Sequence, residues 1–308
     1  MSWRRRDVLA GLAAAGALTA CGAPASTRAG APETPEPATD KEAPMDASSR
    51  MPVLFVGHGS PMNAIEDNRW AQGFAALSEG ISRPKAILAI SAHWFVPGTY
   101  LTSNEQPPTI HDFGGFPQAL YEVQYPARGS VDLAKRVRGL LAESGAELRS
   151  DWGLDHGTWS VLRHMYPDAD VPVVQLSIDR RLRAAQHLEL ARSLADLRDE
   201  GVLIVGSGNM THNLRDAITH MRTGDTSTPK WARRFDTDVN AALEQHDTKA
   251  VLAHDPSVSD VGRMAHPSPD HWLPLIYAYG ATDENDAVRS PISGFDWGSL
   301  SMRSVRFG

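Results

Sequence analysis

Three histidines stand just behind apolar, strand-like segments of the 308-residue chain. His58 and His93 each follow such a segment directly, and His212 follows a third at a distance of six residues. A neutral imidazole is the commonest transition-metal ligand in proteins, and histidines from separate loops can converge on one ion. The pattern therefore predicts a histidine-rich metal site, with an ordinary hydrogen-bonded loop histidine as the alternative at each position.

His271 is a fourth candidate ligand, because it stands at the start of an apolar, helix-like segment. The only cysteine is Cys21, so no intrachain disulfide and no cysteine-rich metal site can form. Nitrogen ligands without thiolates suit Fe(II) or Zn(II). A structural histidine in a loop is again the alternative for His271.

A further histidine, His156, lies beside Asp155 in a DHGTW motif. A carboxylate can orient an imidazole for general acid or base catalysis, so His156 is a candidate for proton transfer. The alternative is that Asp155 caps a helix and His156 is a surface residue.

The loop at 108–117 is rich in Gly and Pro and carries two phenylalanines, so it is a candidate wall or lid for an aromatic ligand, or an ordinary loop. The remaining histidines have no such context and are expected to be surface or structural residues: His164, His187, His220, His246, His254 and His266.

The elements that must position these side chains alternate along the chain. Nearly continuous apolar runs, typical of strands covered on both faces, occur at 52–56, 86–91, 171–176 and 202–206. Segments with helical spacing of apolar residues occur at 68–79, 131–144, 184–199 and 231–244. This alternation predicts a single α/β domain with a mostly parallel central sheet flanked by helices. Ligand sites in such folds lie beyond the carboxyl ends of the strands, so the metal site is expected there.

Residues 1–20 have the pattern of an export signal. Arg5 and Arg6 lie in a twin-arginine-like sequence, and an apolar run of about 13 residues follows, too short to span a bilayer comfortably. Cys21 stands in LTACG, which resembles a bacterial lipobox whose cysteine is lipidated. The alternative is a signal peptide in which these arginines and the cysteine occur by chance.

The segment at 21–50 is predicted to be a flexible tether, because it has almost no large apolar side chains to bury. The catalytic domain then spans 51–308. The protein is expected to be an exported, membrane-anchored lipoprotein on the periplasmic or cell-surface side. A formal net charge of -7, with no basic block inside the domain, argues against nucleic acid as a partner. The sequence leaves the oligomeric state open.

Seven motifs occur in an order that resembles a known family. They are GHGSPMN (57–63), SAHW (91–94), TIHDFGGFP (109–117), DHGTW (155–159), QLSID (175–179), SGNMTHN (207–213) and PSPDH (267–271). Together they resemble the 4,5-DOPA extradiol dioxygenase family, which belongs to the class III extradiol ring-cleavage dioxygenases and is related to the catalytic subunit of protocatechuate 4,5-dioxygenase. The resemblance extends over 51–308 and includes GSLSM at 298–302.

The resemblance implies a non-haem Fe(II) enzyme that inserts both atoms of O2 into a small catechol such as DOPA, caffeate or protocatechuate. Bacterial relatives are also found with zinc. It implies that His58, His93 and His271 are metal ligands, the last where the protocatechuate enzymes use a glutamate. It also implies that His212 is an acid/base histidine and a fourth candidate ligand, and that His156 contacts the catechol.

Two other functions fit a histidine-rich metal site. In a zinc-dependent hydrolase, metal-bound water would attack an ester or amide, although the chain lacks the HExxH arrangement. A non-catalytic metal-binding lipoprotein would buffer or deliver ions. That function favours histidine tracts, whereas these histidines are single and lie at separate strand ends.

Overall fold

The computed structural model describes residues 50–308. The predicted export signal, Cys21 and all of the predicted tether up to residue 49 lie outside the described residues. The strands are β1 (Val53–Gly57), β2 (Ala86–Val96), β3 (Tyr100–Thr102), β4 (Glu147–Arg149), β5 (Val173–Asp179), β6 (Val202–Gly208), β7 (Val288–Ile292), β8 (Phe295–Asp296), β9 (Leu300–Ser301) and β10 (Ser304–Phe307). The helices are α1 (Arg69–Ala76), α2 (Gln118–Tyr121), α3 (Val131–Leu140), α4 (His156–Met165), α5 (Ala184–Arg192), α6 (Leu214–Thr223), α7 (Lys230–Glu244), α8 (Thr248–Leu252), α9 (Asp260–Ala265) and α10 (Leu273–Gly280).

Eight strands form the central sheet in the order β4-β3-β5-β2-β6-β1-β10-β7. The four inner strands β5, β2, β6 and β1 are mutually parallel, so their carboxyl ends meet at one edge. Strands β10 and β7 add to one side in antiparallel orientation, and β3 pairs antiparallel with β5 on the other. The predicted α/β fold with a mostly parallel sheet is confirmed.

All four predicted strands are present, and β2 is longer than predicted. It runs on through His93 to Val96, and its pairing with β5 shifts register between Ile90 and Phe95. The irregularity therefore brackets His93, which lies within the strand and not behind it. Such irregularities re-aim a side chain at the end of a ladder and are common beside functional sites.

The predicted helices correspond to α1, α3, α5 and α7, but α1, α3 and α5 end three to seven residues early. Where the prediction continued α3 and α5, the chain forms short 3-10 helices, Ala142–Ser144 and Ala195–Arg198. Apolar periodicity did not predict α4, but the alternative in which Asp155 caps a helix is confirmed, and the helix begins at His156 itself. His156 is buried and is not the surface residue of that alternative. The start of α4 is set by Asp155, whose side chain accepts a hydrogen bond from the backbone N–H of Thr158.

Both faces of the sheet are buried, as the continuous apolar strands require. In β1, for example, Val53 and Phe55 belong to one apolar cluster, and Leu54 and Val56 belong to the other. Helix α10 is buried along its whole length on the first face. Within residues 50–308, no helix is both long and apolar enough to cross a bilayer.

Two of the remaining histidines are buried structural residues. His187 binds the Tyr277 hydroxyl through Nδ1 at 3.0 Å, and Nε2 of His266 binds the Met210 carbonyl at 3.0 Å. Burial lowers the pKa of each ring to about 4, so both are neutral near pH 7. These histidines therefore hold the core together.

A buried ion pair joins the 3-10 helix Ala195–Arg198 to the loop before β7. The Arg198 side chain is 1% exposed, and its two Nη atoms contact the Asp286 carboxylate at 2.6 and 2.7 Å. Its Nε also donates to the carbonyl of Met51 at 2.7 Å. Removing one partner of such a pair leaves the other charge buried and uncompensated.

We expect Arg198→Met to lower the free energy of unfolding by about 3–5 kcal/mol, because Asp286 loses its counter-charge in a buried place. Urea denaturation followed by circular dichroism measures this. Arg136→Met is the matched control, since Arg136 pairs with Glu200 in a largely exposed setting. The control is expected to change the unfolding midpoint little. Equal effects in the two variants would contradict the stabilising role of the buried Arg198–Asp286 pair.

Candidate metal centre

Five histidines meet at the carboxyl edge of the parallel strands. His58 directly follows β1, His93 lies near the end of β2, and His212 lies between β6 and α6. His156 opens α4, and His271 ends a 3-10 helix, Pro269–His271, that leads into α10. The structure therefore brings together all of the sequence-predicted site residues.

Nitrogen atoms of His58, His93 and His271 converge. The ligand atoms of these three rings all lie within 4.8 Å of one another. Nε2 of His58 and Nε2 of His93 are 3.2 Å apart. Metal–nitrogen bonds of about 2.1 Å in tetrahedral or octahedral geometry would separate ligand nitrogens by about 3.0–3.4 Å, so this spacing fits one shared ion.

The other ring nitrogen of each of these histidines is held by a hydrogen-bond partner. Nδ1 of His58 lies 2.9 Å from Oγ of Ser207, whose hydroxyl in turn donates to the carbonyl of Gly157. Ser207 must therefore accept the proton of His58 Nδ1. Nδ1 of His271 lies 2.6 Å from the carboxylate of Asp270, which also can only accept.

Asp112 plays the same part for His93, whose Nδ1 lies 3.2 Å from Oδ2 of Asp112. With Nδ1 protonated in all three rings, every Nε2 carries a lone pair. Lone pairs only 3.2 Å apart, as on His58 and His93, repel each other unless a cation lies between them. The donor set therefore fits a bound divalent metal, and hydrogen-bonded outer partners of this kind are usual behind metal-ligating histidines.

The sequence analysis did not predict the roles of Ser207, Asp112 and Asp270. Ser207 and Asp270 lie inside motifs that also carry a site histidine, and Asp112 lies in the TIHDFGGFP motif. The signal that could have found them is chemical, because each metal-ligating imidazole needs an acceptor for its second nitrogen. Which acceptor serves which ring depends on tertiary contacts and cannot be taken from spacing.

The carboxylate that orients His156 is Asp112 and not the adjacent Asp155. Oδ1 of Asp112 lies 3.0 Å from Nδ1 of His156 and 2.9 Å from its backbone nitrogen. Asp155 is turned away into the core, where it caps α4 and contacts Gln175 of β5. The expectation that an acid orients His156 holds, but the acid comes from the loop at 108–117.

His212 stacks flat on His271, with ring centroids 3.5 Å apart and planes inclined by 2°. It does not belong to the group of three converging nitrogens found within residues 50–308. Its backbone N–H donates to the carbonyl of Ala265, which ties its loop to the end of α9. His212 therefore lies beside the candidate metal ligand His271, where its ring can contact a bound molecule.

Burial sets the protonation of the converging rings. It lowers the pKa of His58 well below the usual value, and the neighbouring His93 lowers it further. Burial also lowers the pKa of His271 well below the usual value. Burial acts on His93 in the same direction, but its hydrogen bond to Asp112 and nearby carboxylates outweigh this, and the pKa of His93 is raised.

The two histidines outside the group of three are neutral near pH 7. Burial is the main cause that lowers the pKa of His156 to about 4, and the same holds for His212. For His156 the hydrogen bond to Asp112 opposes the shift without reversing it. Neutral rings beside the site can each take up a proton from a bound molecule.

An aromatic side chain closes the site next to His156. Phe113 meets the His156 ring edge-on, with centroids 5.5 Å apart, and contacts Phe116 at 5.4 Å in the same way. Both phenylalanines lie in the loop at 108–117 that also supplies Asp112. The loop is therefore a wall of the site, as predicted, and it also supplies one of its hydrogen-bond acceptors.

Comparison with known proteins agrees with this site. The family profile described as the catalytic LigB subunit of aromatic ring-opening dioxygenase matches residues 52–299. The 4,5-DOPA dioxygenase extradiol of Escherichia coli K12 is 50% identical over 269 residues, or 85% of this chain and 96% of that protein. The Beta vulgaris protein of the same name is 40% identical over 261 residues, or 83% of this chain and 96% of that protein.

A solved structure shows the same architecture. The crystal structure of an uncharacterized Escherichia coli K12 protein matches with a TM-score of 0.73 and 43% identity, over 84% of this chain and 100% of that chain. The chain therefore belongs to the family of the catalytic LigB subunit of aromatic ring-opening dioxygenases. It is an extradiol-type dioxygenase, an oxidoreductase, which confirms the family resemblance in the sequence.

Gly157 is a close-packing position at the centre of the site. A Cβ atom here would overlap Oγ of Ser91 and lie 2.9 Å from Cδ2 of His93 and 3.4 Å from Cε1 of His58. Any side chain would therefore push against the imidazoles whose Nε2 atoms converge. Only glycine leaves these rings in place.

We expect Gly157→Ala to weaken Zn(II) or Co(II) binding by at least about 10-fold, because displaced rings no longer converge. Competition with a chromophoric chelator measures the affinity. Gly139→Ala is the matched control, since nothing lies within 4 Å of the added carbon in α3. The control is expected to keep wild-type affinity and to gain stability. Unchanged affinity in Gly157→Ala would contradict this account of the site.

Proposed function

We propose that this dioxygenase opens the ring of a small catechol of the DOPA type at a metal held by His58, His93 and His271. The observation that carries the proposal is the convergence of ring nitrogens of His58, His93 and His271, each of which has a hydrogen-bond partner on its Nδ1. Several curated relatives bear the name 4,5-DOPA dioxygenase extradiol, which supports a catechol substrate.

The metal is Fe(II) or Zn(II) by the chemistry of its donors, since neutral imidazoles suit both. When bound, it would supply a positive charge that lowers the pKa of the catechol hydroxyls, and as iron a redox centre for O2. Redox-inert zinc cannot support the oxygen chemistry of ring opening. We therefore assign Fe(II) to the active enzyme.

The protein residues around this centre bind and orient the ring. Phe113 lies in edge-to-face contact with His156, so a flat catechol can pack against both rings. Ring stacking on His271 holds His212 on another side of the centre. A substrate here is enclosed by imidazole and phenyl rings, which exclude water from the reacting carbon atoms.

His156 and His212 carry the proton transfers in this proposal. Both rings are neutral near pH 7 because burial lowers their pKa values to about 4. A neutral ring accepts a proton as a catechol hydroxyl ionises, and the imidazolium so formed returns a proton later in ring opening. Membership of the ring-opening family favours this function over the hydrolase and ion-carrier alternatives.

We expect His58→Ala and His93→Ala to lose catechol-dependent O2 uptake. The loss is expected to exceed the roughly 100-fold fall in activity that removing a hydrogen-bond partner behind a metal ligand can cause. The full chain is reconstituted anaerobically with Fe(II) and offered a panel of catechols. An oxygen electrode and the absorbance of the yellow ring-opened semialdehyde report turnover. His246→Ala is the control, because His246 lies away from the converging nitrogens and keeps activity. Wild-type turnover in either ligand variant would refute the proposal.

We also propose that the enzyme acts outside the cytoplasmic membrane, anchored by a lipid on Cys21. The twin-arginine-like sequence and the lipobox-like LTACG support this location. Twin-arginine export carries folded proteins, so a metal can be loaded before export.

We expect Cys21→Ser to release the protein from the membrane fraction, because it removes the site of lipid attachment. Fractionation with immunoblotting, and labelling with a radioactive fatty acid, measure this. A lysine pair in place of Arg5 and Arg6 is expected to retain the protein in the cytoplasm. Membrane association without label in the wild type would contradict the anchor.

A further inference from the structure

One carboxylate, that of Asp112, lies between two histidines with different roles in the proposed site. Oδ2 of Asp112 is 3.2 Å from Nδ1 of His93, and Oδ1 is 3.0 Å from Nδ1 of His156. Oδ1 also accepts the backbone N–H of His156 at 2.9 Å. The two rings themselves are close, with centroids 3.8 Å apart. Asp112 therefore joins a candidate metal ligand to a candidate proton acceptor.

An ionised carboxylate can only accept hydrogen bonds. Both Nδ1 atoms that face Asp112 must therefore carry a proton. In a neutral imidazole with its proton on Nδ1, the lone pair resides on Nε2. When the rings are neutral, the same acceptor thus fixes the tautomer of both, and it leaves Nε2 of His93 and Nε2 of His156 free of protons.

Asp112 is well placed to hold this arrangement. Its side chain is 16% exposed, so competing water has little access to the two hydrogen bonds. Hydrogen bonds to an ionised acceptor are stronger than bonds between neutral groups. The distances of 3.0 and 3.2 Å are those of hydrogen bonds, and the backbone N–H of His156 donates to the same carboxylate. His93, Asp112 and His156 also have the spacing of a metal-binding group, so the Co(II) titration below includes a test for a second ion.

We propose that Asp112 is a positioning residue that sets the proton positions of His93 and His156 together, so that one Nε2 binds metal and the other accepts a catechol proton. This inference rests on the proposed function for the role of His156. In the transfer, the O–H bond of the catechol breaks, its electron pair stays on oxygen, and a new N–H bond forms at Nε2 of His156. Asp112 then lies hydrogen-bonded to the imidazolium and stabilises its charge.

Replacing Asp112 by asparagine separates the two roles. The amide has one accepting oxygen and one donating nitrogen, so it can satisfy only one of the two Nδ1–H groups. His156 offers it two donors, its ring and its backbone N–H, whereas His93 offers one. The amide oxygen is therefore expected to face His156. The amide nitrogen then faces His93 and moves the proton of that ring to Nε2, where it blocks metal binding.

The first measurement needs no variant. In the metal-free full chain labelled with 15N-histidine, long-range 15N–1H spectra distinguish the two neutral tautomers of each ring. We expect His93 and His156 both to carry the proton on Nδ1. Resonances are assigned with single histidine replacements. A proton on Nε2 of either ring would overturn the proposal, whether or not the enzyme opens catechols.

The second measurement compares Asp112→Asn with the wild type in the same spectra and in Co(II) titration. We expect His93 to change tautomer, His156 to keep its own, and Co(II) affinity to fall about 10- to 100-fold. Asp216→Asn is the matched control, since Asp216 lies beside His220 away from this site, and it keeps wild-type affinity. An unchanged tautomer and affinity in Asp112→Asn would refute the proposal. Loss of a second bound equivalent of Co(II) would also refute it, because Asp112 would then be a ligand.

A merely structural role would not produce this pattern. General loosening of the site would broaden or change the signals of both rings and of His58. Circular dichroism melts of the metal-free proteins show whether Asp112→Asn folds, and the wild-type tautomers test the proposal if it does not. Failure of the proposed function appears separately, as absent O2 uptake by the Fe(II)-loaded wild type with the predicted tautomers intact.

Discussion

The structure of the site depends on one electrostatic constraint, which is that unprotonated imidazole nitrogens converge in a buried place. Nε2 of His58 and Nε2 of His93 lie 3.2 Å apart, and the nearest ring nitrogen of His271 is within 4.8 Å. Without a cation, the lone pairs repel one another. The protein maintains them by giving every Nδ1 an acceptor and by placing each ring on a different, well-packed element.

The parallel sheet makes that placement possible. Strands β1, β2 and β6 are neighbours and end at the same edge, so residues just past their ends meet without long loops. His271 arrives from another direction, on the 3-10 helix before α10. That helix can approach only because β6 has glycine at the contact, where a Cβ on Gly208 would overlap the His271 carbonyl oxygen. The backbone N–H of Asn209 then donates to this oxygen at 3.1 Å.

Most of the fold and the candidate ligands could be predicted from the sequence, for a physical reason. Strands buried on both faces are continuous apolar runs, and a polar residue directly after such a run is conspicuous, as for His58. The start of α4 was harder to predict, because a helix that opens with His-Gly shows little apolar periodicity. Its position depends on a cap by Asp155 and on the contact of Gly157 with Ser91 and His93, which are tertiary features.

The hydrogen-bond partners of the site histidines show the same limit of prediction from sequence. Sequence adjacency pairs His156 with Asp155, and it pairs His271 with Asp270. The structure keeps the second pair and replaces the first by Asp112, 44 residues away. In α4 the side chain of Asp155 is committed to the helix N-terminus, so it cannot also reach the ring that follows it. Pairing a histidine with the adjacent acid in the sequence therefore fails here, because the backbone N–H of Thr158 already uses the Asp155 carboxylate as its acceptor.

The type of metal-ligating group also affects the charge of the site. Three neutral imidazoles bring no negative charge to a divalent ion, unlike a site with a carboxylate ligand. Two carboxylates lie one hydrogen bond behind the ligands instead, Asp112 behind His93 and Asp270 behind His271. Hydrogen bonds from the His93 and His156 rings offset the cost of burying Asp112 and lower the pKa of its carboxyl group, so that it is ionised. These carboxylates would therefore offset the charge of a bound divalent ion through the imidazoles.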